Sequence, residues 1–322
     1  MKKFIVGIGV LILLVAVYLV IDSLLFDGFK PISINQNGFQ ANYFAKNTTI
    51  NKTAIILIGG GQWGDYWGAQ FANKGFVGLS LPYTRNKGLP KLPEEIPLEY
   101  FENAIKWLNE QPEVNPDKVL IMGASRNSEL ALIIASVFPE LVSGVIAYAP
   151  SSVSWSNTVL PYNSDTIKAS WTYKGEDIPY IPMDKITGNN SSEINTLEYW
   201  ENGLKKQDHV SAATIKVERI KGPILLFSGK NDSVWPSSLM ADMIEKRIND
   251  SDFKFDFNNI QYENAGHLIS SNPDSDSDTS ERMGKITIDG KVYEFAYGGT
   301  MNGDNKAKKL ARIKVFEFID KL

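Results

Sequence analysis

The sequence predicts an α/β fold, a mostly parallel central sheet with helices on both faces, and three observations point to it. Apolar, β-rich runs at Thr53 to Ile58, Phe76 to Leu81, Val119 to Met122, Leu141 to Ala149 and Pro223 to Phe227 are separated by stretches of helical character. Lys118 to Ala135 reads as strand, tight turn of small residues and helix, with Ser125 at the apex. Asp232 and His267 then follow in loops just past strand-like runs, where open α/β sheets carry their sites.

The 322 residues suit one large α/β domain. A net charge of −4 without a basic stripe argues against nucleic acid as a partner. The chain has no cysteine, which excludes disulfides, Cys-ligated metals and a Cys nucleophile.

Taken in order, the chain opens on an apolar stretch. After Lys2-Lys3, Phe4 to Ile21 carries no charge and approaches the length of a bilayer core. A cleaved signal peptide has a shorter apolar core and an A-x-A-like site, which Val17 to Ser23 lacks. Residues 1–28 are therefore expected to be an uncleaved membrane anchor with a short linker. The lysines before it, with Asp22 and Asp27 after it, place the domain of residues 29–322 on the extracytoplasmic side.

Asn37-Gly38 reads as a turn between short strands, an edge hairpin leading into the sheet. After the strand Thr53 to Ile58 come Gly59-Gly60-Gly61-Gln62, then a helix expected over Asp65 to Asn73. Pro97 to Asn109 carries Leu98, Phe101, Ile105 and Leu108 at helical spacing. Residues 151–221 separate two strands by far more than an ordinary connection, so they are expected to form a cap over the serine. The aromatic side chains there, among them Trp155, Tyr162, Trp171 and Trp200, either line an apolar substrate pocket or pack the cap onto the body. Trp235 is expected to brace the loop of Asp232. Asn272 to Glu281 is acidic, but it lacks the glycine and glutamate of a calcium loop and reads as solvated; no metal is expected. Lys285 to Phe295 alternates around Asp289-Gly290 as a hairpin, and Asn305 to Leu322 forms a last helix with Leu310, Ile313, Phe316 and Ile319 on its apolar face.

The candidate chemistry rests on three side chains. Ser125 sits between Gly123 and Asn127, where the G-x-S-x-G pattern has two glycines; Asn is the residue that best tolerates unusual backbone angles in glycine's place. Ser125, Asp232 and His267 follow the α/β-hydrolase order of nucleophile, acid and base. His267 would take the serine proton, and Asp232 would hold the imidazole. The other histidine, His209, lies in a charged stretch out of order and reads as a surface residue. Backbone N–H groups of Arg126, just after the serine, and of Gly61 and Gln62 in the glycine loop are the expected oxyanion hole. The glycines lack the lysine and spacing of a phosphate loop. No cofactor is expected.

The chain resembles the C-terminal catalytic domain shared by acyl-CoA thioesterases and bile-acid-CoA:amino-acid N-acyltransferase. The resemblance runs over most of residues 53–320. It is carried by the glycine loop with Asp65-Tyr66, by Lys74-Gly75-Phe76 and Leu81-Pro82-Tyr83, and by Ile96 to Leu108. It continues through GASRNSELAL, through Gly222 to Ser238, Ala265 to Ile269, Gly298-Gly299-Thr300 and Asn305-Lys306-Ala307. By that resemblance Ser125 is the nucleophile, Asp232 the acid and His267 the base of an α/β-hydrolase. Two features depart from it: Asn127 replaces the second glycine, and only roughly 30 residues separate the apolar N-terminal stretch from the first matched strand, too few for the immunoglobulin-like domain that precedes the hydrolase in eukaryotic members, since domains rarely fall below ~50 residues.

The expected function is cleavage of an acyl ester or thioester, a small-molecule substrate, through an acyl-enzyme. The alternatives are acyl transfer to an amine and a catalytically silent binding protein that kept the fold.

Overall fold

The computed structural model describes residues 2–25, 30–157, 166–274 and 282–322. Helix α1 (Lys2–Leu25) leads to the hairpin of β1 (Ile32–Gln36) and β2 (Phe39–Phe44). Asn37 and Gly38 turn it with φ of 52° and 80°, the left-handed backbone that a type I′ turn needs and that Asn-Gly tolerates best. Then come β3 (Lys52–Ile58), α2 (Gly61–Asn73), β4 (Val77–Leu81), β5 (Ile96–Pro97), α3 (Glu99–Asn109), β6 (Val114–Ala124), α4 (Arg126–Val137) and β7 (Gly144–Tyr148). The insertion after β7 carries β8 (Trp171–Tyr173), β9 (Glu176–Asp177), α5 (Thr196–Leu204) and α6 (Gln207–Ala213). The chain returns to the body with β10 (Ile224–Gly229), α7 (Ser237–Asn249) and β11 (Phe257–Tyr262). It ends with the hairpin of β12 (Met283–Ile288) and β13 (Lys291–Ala296) and with α8 (Met301–Ile319).

Eight strands form the central sheet in the order β1-β2-β4-β3-β6-β7-β10-β11. It is parallel from β4 to β11, with the β1–β2 hairpin antiparallel at one edge. This is the α/β-hydrolase architecture the sequence predicts. The inner strands read as unbroken apolar runs because both faces are covered. Along β3, Ile56 and Ile58 pack with α3, α4 and α7, while Ile55 and Leu57 pack with α2 and α8. The carboxyl ends of β3, β6, β10 and β11 lead into Gly59, Ser125, Asp232 and His267, so one rim of the sheet collects every candidate group.

Several expectations are corrected. Among the described residues no helix is long and apolar enough to cross a membrane, so the anchor expected over Phe4 to Ile21 is not supported. The described side chains of α1, residues 7–9 and 11–20, are exposed. Residues 26–28 of the expected linker, Tyr162 and residues 275–281 of the acidic stretch lie outside the described residues. Helix α2 begins at Gly61 rather than Asp65, because the glycines before it turn the chain straight off β3 instead of forming a longer loop. Trp155, Trp171 and Trp200 are buried in packing rather than facing a pocket; Trp155 and Trp200 join Trp235 and Met240 in a separate cluster.

The face of the last helix matches the expected one only in part: Phe316 and Ile319 pack into the core, but Leu310 and Ile313 do not. Ala307, Ala311, Val315, Phe318 and Ile319 are buried, while Leu310 and Ile313 stand 40% and 54% exposed. The two alanines lie one turn apart and allow the backbone to approach the sheet closely, so shape rather than side-chain size selects the stripe. Ile313→Ser is therefore expected to leave unfolding free energy within about 0.5 kcal/mol of wild type. Phe318→Ala, which opens a cavity, should cost about 3 kcal/mol in the same urea titration. Equal losses in both variants would contradict this face.

Candidate active site

Ser125 is held by the turn between β6 and α4. Its backbone has φ 56° and ψ −126°, a conformation an L-residue adopts only when its surroundings impose it. Here the Ser125 N–H donates to the Tyr148 carbonyl at 2.9 Å, and the Ser125 carbonyl accepts from Ser128 N–H at 2.9 Å. A Cβ built on Gly123 would lie 2.1 Å from the Asn127 carbonyl oxygen, so only glycine allows the helix to fold back this tightly.

Asn127 does not take the strained backbone expected of it. It is a helical residue, and the positive φ belongs to Ser125. Its carboxamide lies against Gly59, where a Cβ would meet Asn127 Nδ2 at 2.2 Å, and its Oδ1 accepts from the Tyr83 hydroxyl at 2.8 Å. The side chain that replaces glycine thus ties the serine turn to the glycine loop.

The structure brings Ser125, His267 and Asp232 together. His267 Nε2 is 3.1 Å from Ser125 Oγ, and His267 Nδ1 is 2.9 Å from Asp232 Oδ2. Asp232 is 7% and His267 8% exposed, while Ser125 is half-buried and open to an incoming molecule. The carboxylate is fully engaged. Oδ1 accepts from the backbone N–H groups of Val234 at 2.9 Å and Trp235 at 3.3 Å, and Oδ2 accepts from Ser237 Oγ at 2.7 Å. The Trp235 ring stands edge-on to His267 at 6.1 Å, bracing the loop as expected. The backbone N–H of His267 donates to the Tyr297 carbonyl at 2.9 Å, so the segment after β13 fixes the loop of His267. His209 is exposed, in keeping with a surface residue.

Gly61 and Gln62 open α2, and Arg126 opens α4, at the ends of the adjacent strands β3 and β6. First-turn N–H groups have no acceptor within their own helix. None of these three donates to a protein acceptor among the described residues. An imidazole between a serine hydroxyl and a buried carboxylate can accept the hydroxyl proton during attack on a carbonyl. Two helix N-termini beside it can receive the negative charge that develops. Among the described residues there is no group of three or more His, Cys, Asp or Glu side chains placed to hold a metal ion.

Two contributors escaped the sequence reading. Ser237, the first residue of α7 and two residues beyond Trp235, donates to Asp232. Glu129 is fully buried in α4 and bonded to Arg126, Trp155 and Trp171. A lone carboxylate immediately before the apolar run Leu130 to Ala135 is the available signal for the second.

A family model described as BAAT / Acyl-CoA thioester hydrolase C terminal matches residues 96–322. The chain is 30% identical over 224 residues to acyl-coenzyme A thioesterase 1 of Mus musculus, covering 67% of this chain and 47% of that protein. It is 29% identical over 217 residues to the mitochondrial acyl-coenzyme A thioesterase 2 of Mus musculus, covering 67% and 44%. It therefore spans about half the length of the curated relatives it matches. Among solved structures, a Bacteroides ovatus chain assigned as a dipeptidyl aminopeptidase IV superposes with a TM-score of 0.51 at 12% identity, over 91% of this chain and 36% of that one. That likeness is one of fold.

Proposed function

The chain belongs to the BAAT / acyl-CoA thioester hydrolase C-terminal family, and from that premise we propose that it is a serine-dependent hydrolase of acyl thioesters or esters. The observation that carries the reading is the single imidazole of His267 bridging Ser125 Oγ and Asp232 at hydrogen-bond distances. Ser125 Oγ attacks the acyl carbon as His267 Nε2 takes its proton, and the carbonyl electron pair moves onto oxygen. Backbone N–H groups of Arg126, Gly61 and Gln62 receive that oxyanion. Collapse expels the thiolate or alkoxide, which leaves protonated by His267. Water, deprotonated by the same imidazole, then releases the acid and restores Ser125. Asp232 keeps the Nδ1 proton in place throughout and stabilises the imidazolium.

The relatives favour acyl-CoA as the substrate class. The family description pairs thioester hydrolysis with acyl transfer, in which an amine replaces water on the acyl-enzyme. Including an amine acceptor in the assay separates the two through the product, free acid or amide. The silent-protein alternative is motivated by Asn127 and by the unusual segment after His267; the packing of the Asn127 side chain on Gly59 gives the first of these a structural account.

A fluorophosphonate probe is expected to label the wild-type chain and not Ser125→Ala, read by fluorescence after denaturing electrophoresis. Equal labelling of both would remove Ser125 from its role.

A further inference from the structure

Arg126 follows Ser125 directly, and Glu129 follows one helical turn later on the same face of α4. Arg126 is 6% and Glu129 0% exposed. Arg126 Nη1 donates to Glu129 Oε2. Glu129 Oε1 accepts from the backbone N–H of Trp155 at 3.1 Å and from Trp171 Nε1 at 3.0 Å. Arg126 Nη2 donates to Ser170 Oγ at 2.7 Å, and the Ser170 hydroxyl donates to the Trp155 carbonyl at 2.9 Å. The guanidinium also lies over the Trp171 ring, 5.6 Å from its centre. Trp155, Ser170 and Trp171 all belong to the insertion after β7. Burial pushes the Glu129 carboxyl above its ordinary range, while Arg126 and the two N–H donors pull it down. A buried ion pair adds little stability over an apolar pair of the same volume. What this pair does supply is direction: a planar fork held on both sides, attached to the residue that follows the serine.

We propose that Arg126 and Glu129 are a positioning pair that clamps the insertion onto the serine turn and thereby aims the Arg126 backbone N–H at the oxyanion. The inference rests on Ser125 acting as the nucleophile. In that step the Ser125 oxygen bonds to the carbonyl carbon, its proton passes to His267, and the carbonyl electron pair becomes the charge the Arg126 N–H meets. Neither side chain of the pair touches the substrate.

The test uses the full chain, an acyl-CoA thioester as substrate, and an alkyl trifluoromethyl ketone as probe. The ketone forms a hemiketal with the serine whose oxyanion mimics the transition state. Glu129→Gln keeps an acceptor for Trp155 and Trp171 but removes the charge facing Arg126. Its kcat is expected to fall about 10- to 100-fold with KM within about 3-fold, and ketone affinity should fall in step with kcat/KM. In the double variant Arg126→Gln/Glu129→Gln no charge is left buried without its partner, so its melting temperature should return toward wild type while kcat stays low. A merely structural pair would instead regain activity with stability. The proposal is overturned if folded Glu129→Gln keeps kcat and ketone affinity within about 3-fold of wild type, or if the double variant recovers both; should Glu129→Gln fail to fold, the double variant decides. Ser125→Ala is the control. Turnover surviving in it removes the nucleophile reading itself, whereas turnover lost there and unchanged in the pair variants removes only the pair.

Discussion

Replacing His267 with alanine is expected to lower kcat for an acyl-CoA thioester by about 10⁴- to 10⁶-fold, with KM little changed. The imidazole is placed to carry the serine proton. Nε2 stands 3.1 Å from Ser125 Oγ, and the ring makes no other described side-chain hydrogen bond than the one to Asp232. Ser125→Ala should lose a similar factor, and the double variant no more than either single one, because a nucleophile and its base act as one unit. Asp232→Asn should cost about 10⁴-fold, since an amide in place of Oδ2 no longer selects the imidazole tautomer that leaves Nε2 free to accept. Ser237 and the Val234 and Trp235 N–H groups orient the carboxylate, so Ser237→Ala should lose far less. Thiol release from the substrate measures all five. A His267→Ala protein that is folded and within tenfold of wild type would sink the mechanism.

The second large effect falls on stability. Asp304, at the start of α8, has a fully buried side chain. Its Oδ1 accepts from the Gly266 N–H at 2.6 Å, immediately before His267, and its Oδ2 lies 2.9 Å from Arg282 Nη1. The second contact is an ion pair without the alignment of a good hydrogen bond. Arg282 also donates to the Gly298 carbonyl, and Lys308, 1% exposed, sits one turn further along α8. Asp304→Ala would remove the carboxylate facing the partly buried Arg282 and leave the buried Gly266 N–H without its acceptor, at a cost of about 3 kcal/mol. For a chain of this size that is on the order of 10 °C in melting temperature. Burial raises the Asp304 carboxyl above its ordinary value, against the pull of Gly266 and Arg282. Folding therefore takes up a proton there as pH passes between the unfolded and folded values. The stability from this group is full below the unfolded carboxyl range and is lost as pH rises through the folded value. Asp304→Asn should remove that slope from a melting-temperature profile, whereas an unchanged slope would place its origin elsewhere.

Much of this architecture is written in the sequence. Each inner strand appears in the sequence as a short apolar run because a parallel sheet covered on both faces admits nothing else. Asn37-Gly38 announces its turn because few pairs accept two left-handed residues. Gly123 and Ser125 mark their turn because steric exclusion acts over neighbouring residues. The order of Ser125, Asp232 and His267 follows from strand order, since each sits just past a strand end. All of these are local constraints, and local constraints leave local signatures.

What folding alone decided is a matter of contact between distant segments. Asn127 in place of glycine became intelligible only with Gly59 and Tyr83 beside it. The core-facing stripe of α8 takes in Ala307 and Ala311 as well as Phe316 and Ile319, so periodicity found the C-terminal half of the face and missed the small residues of the N-terminal half. The tryptophans of the insertion could equally have lined a pocket, and packing resolved them into a core. Glu129 meets Trp171 across 42 residues, and Asp304 meets Gly266 across 38. A charge buried in this way is tolerated only where a partner from elsewhere in the chain arrives to meet it, and that arrival is a property of the assembled fold.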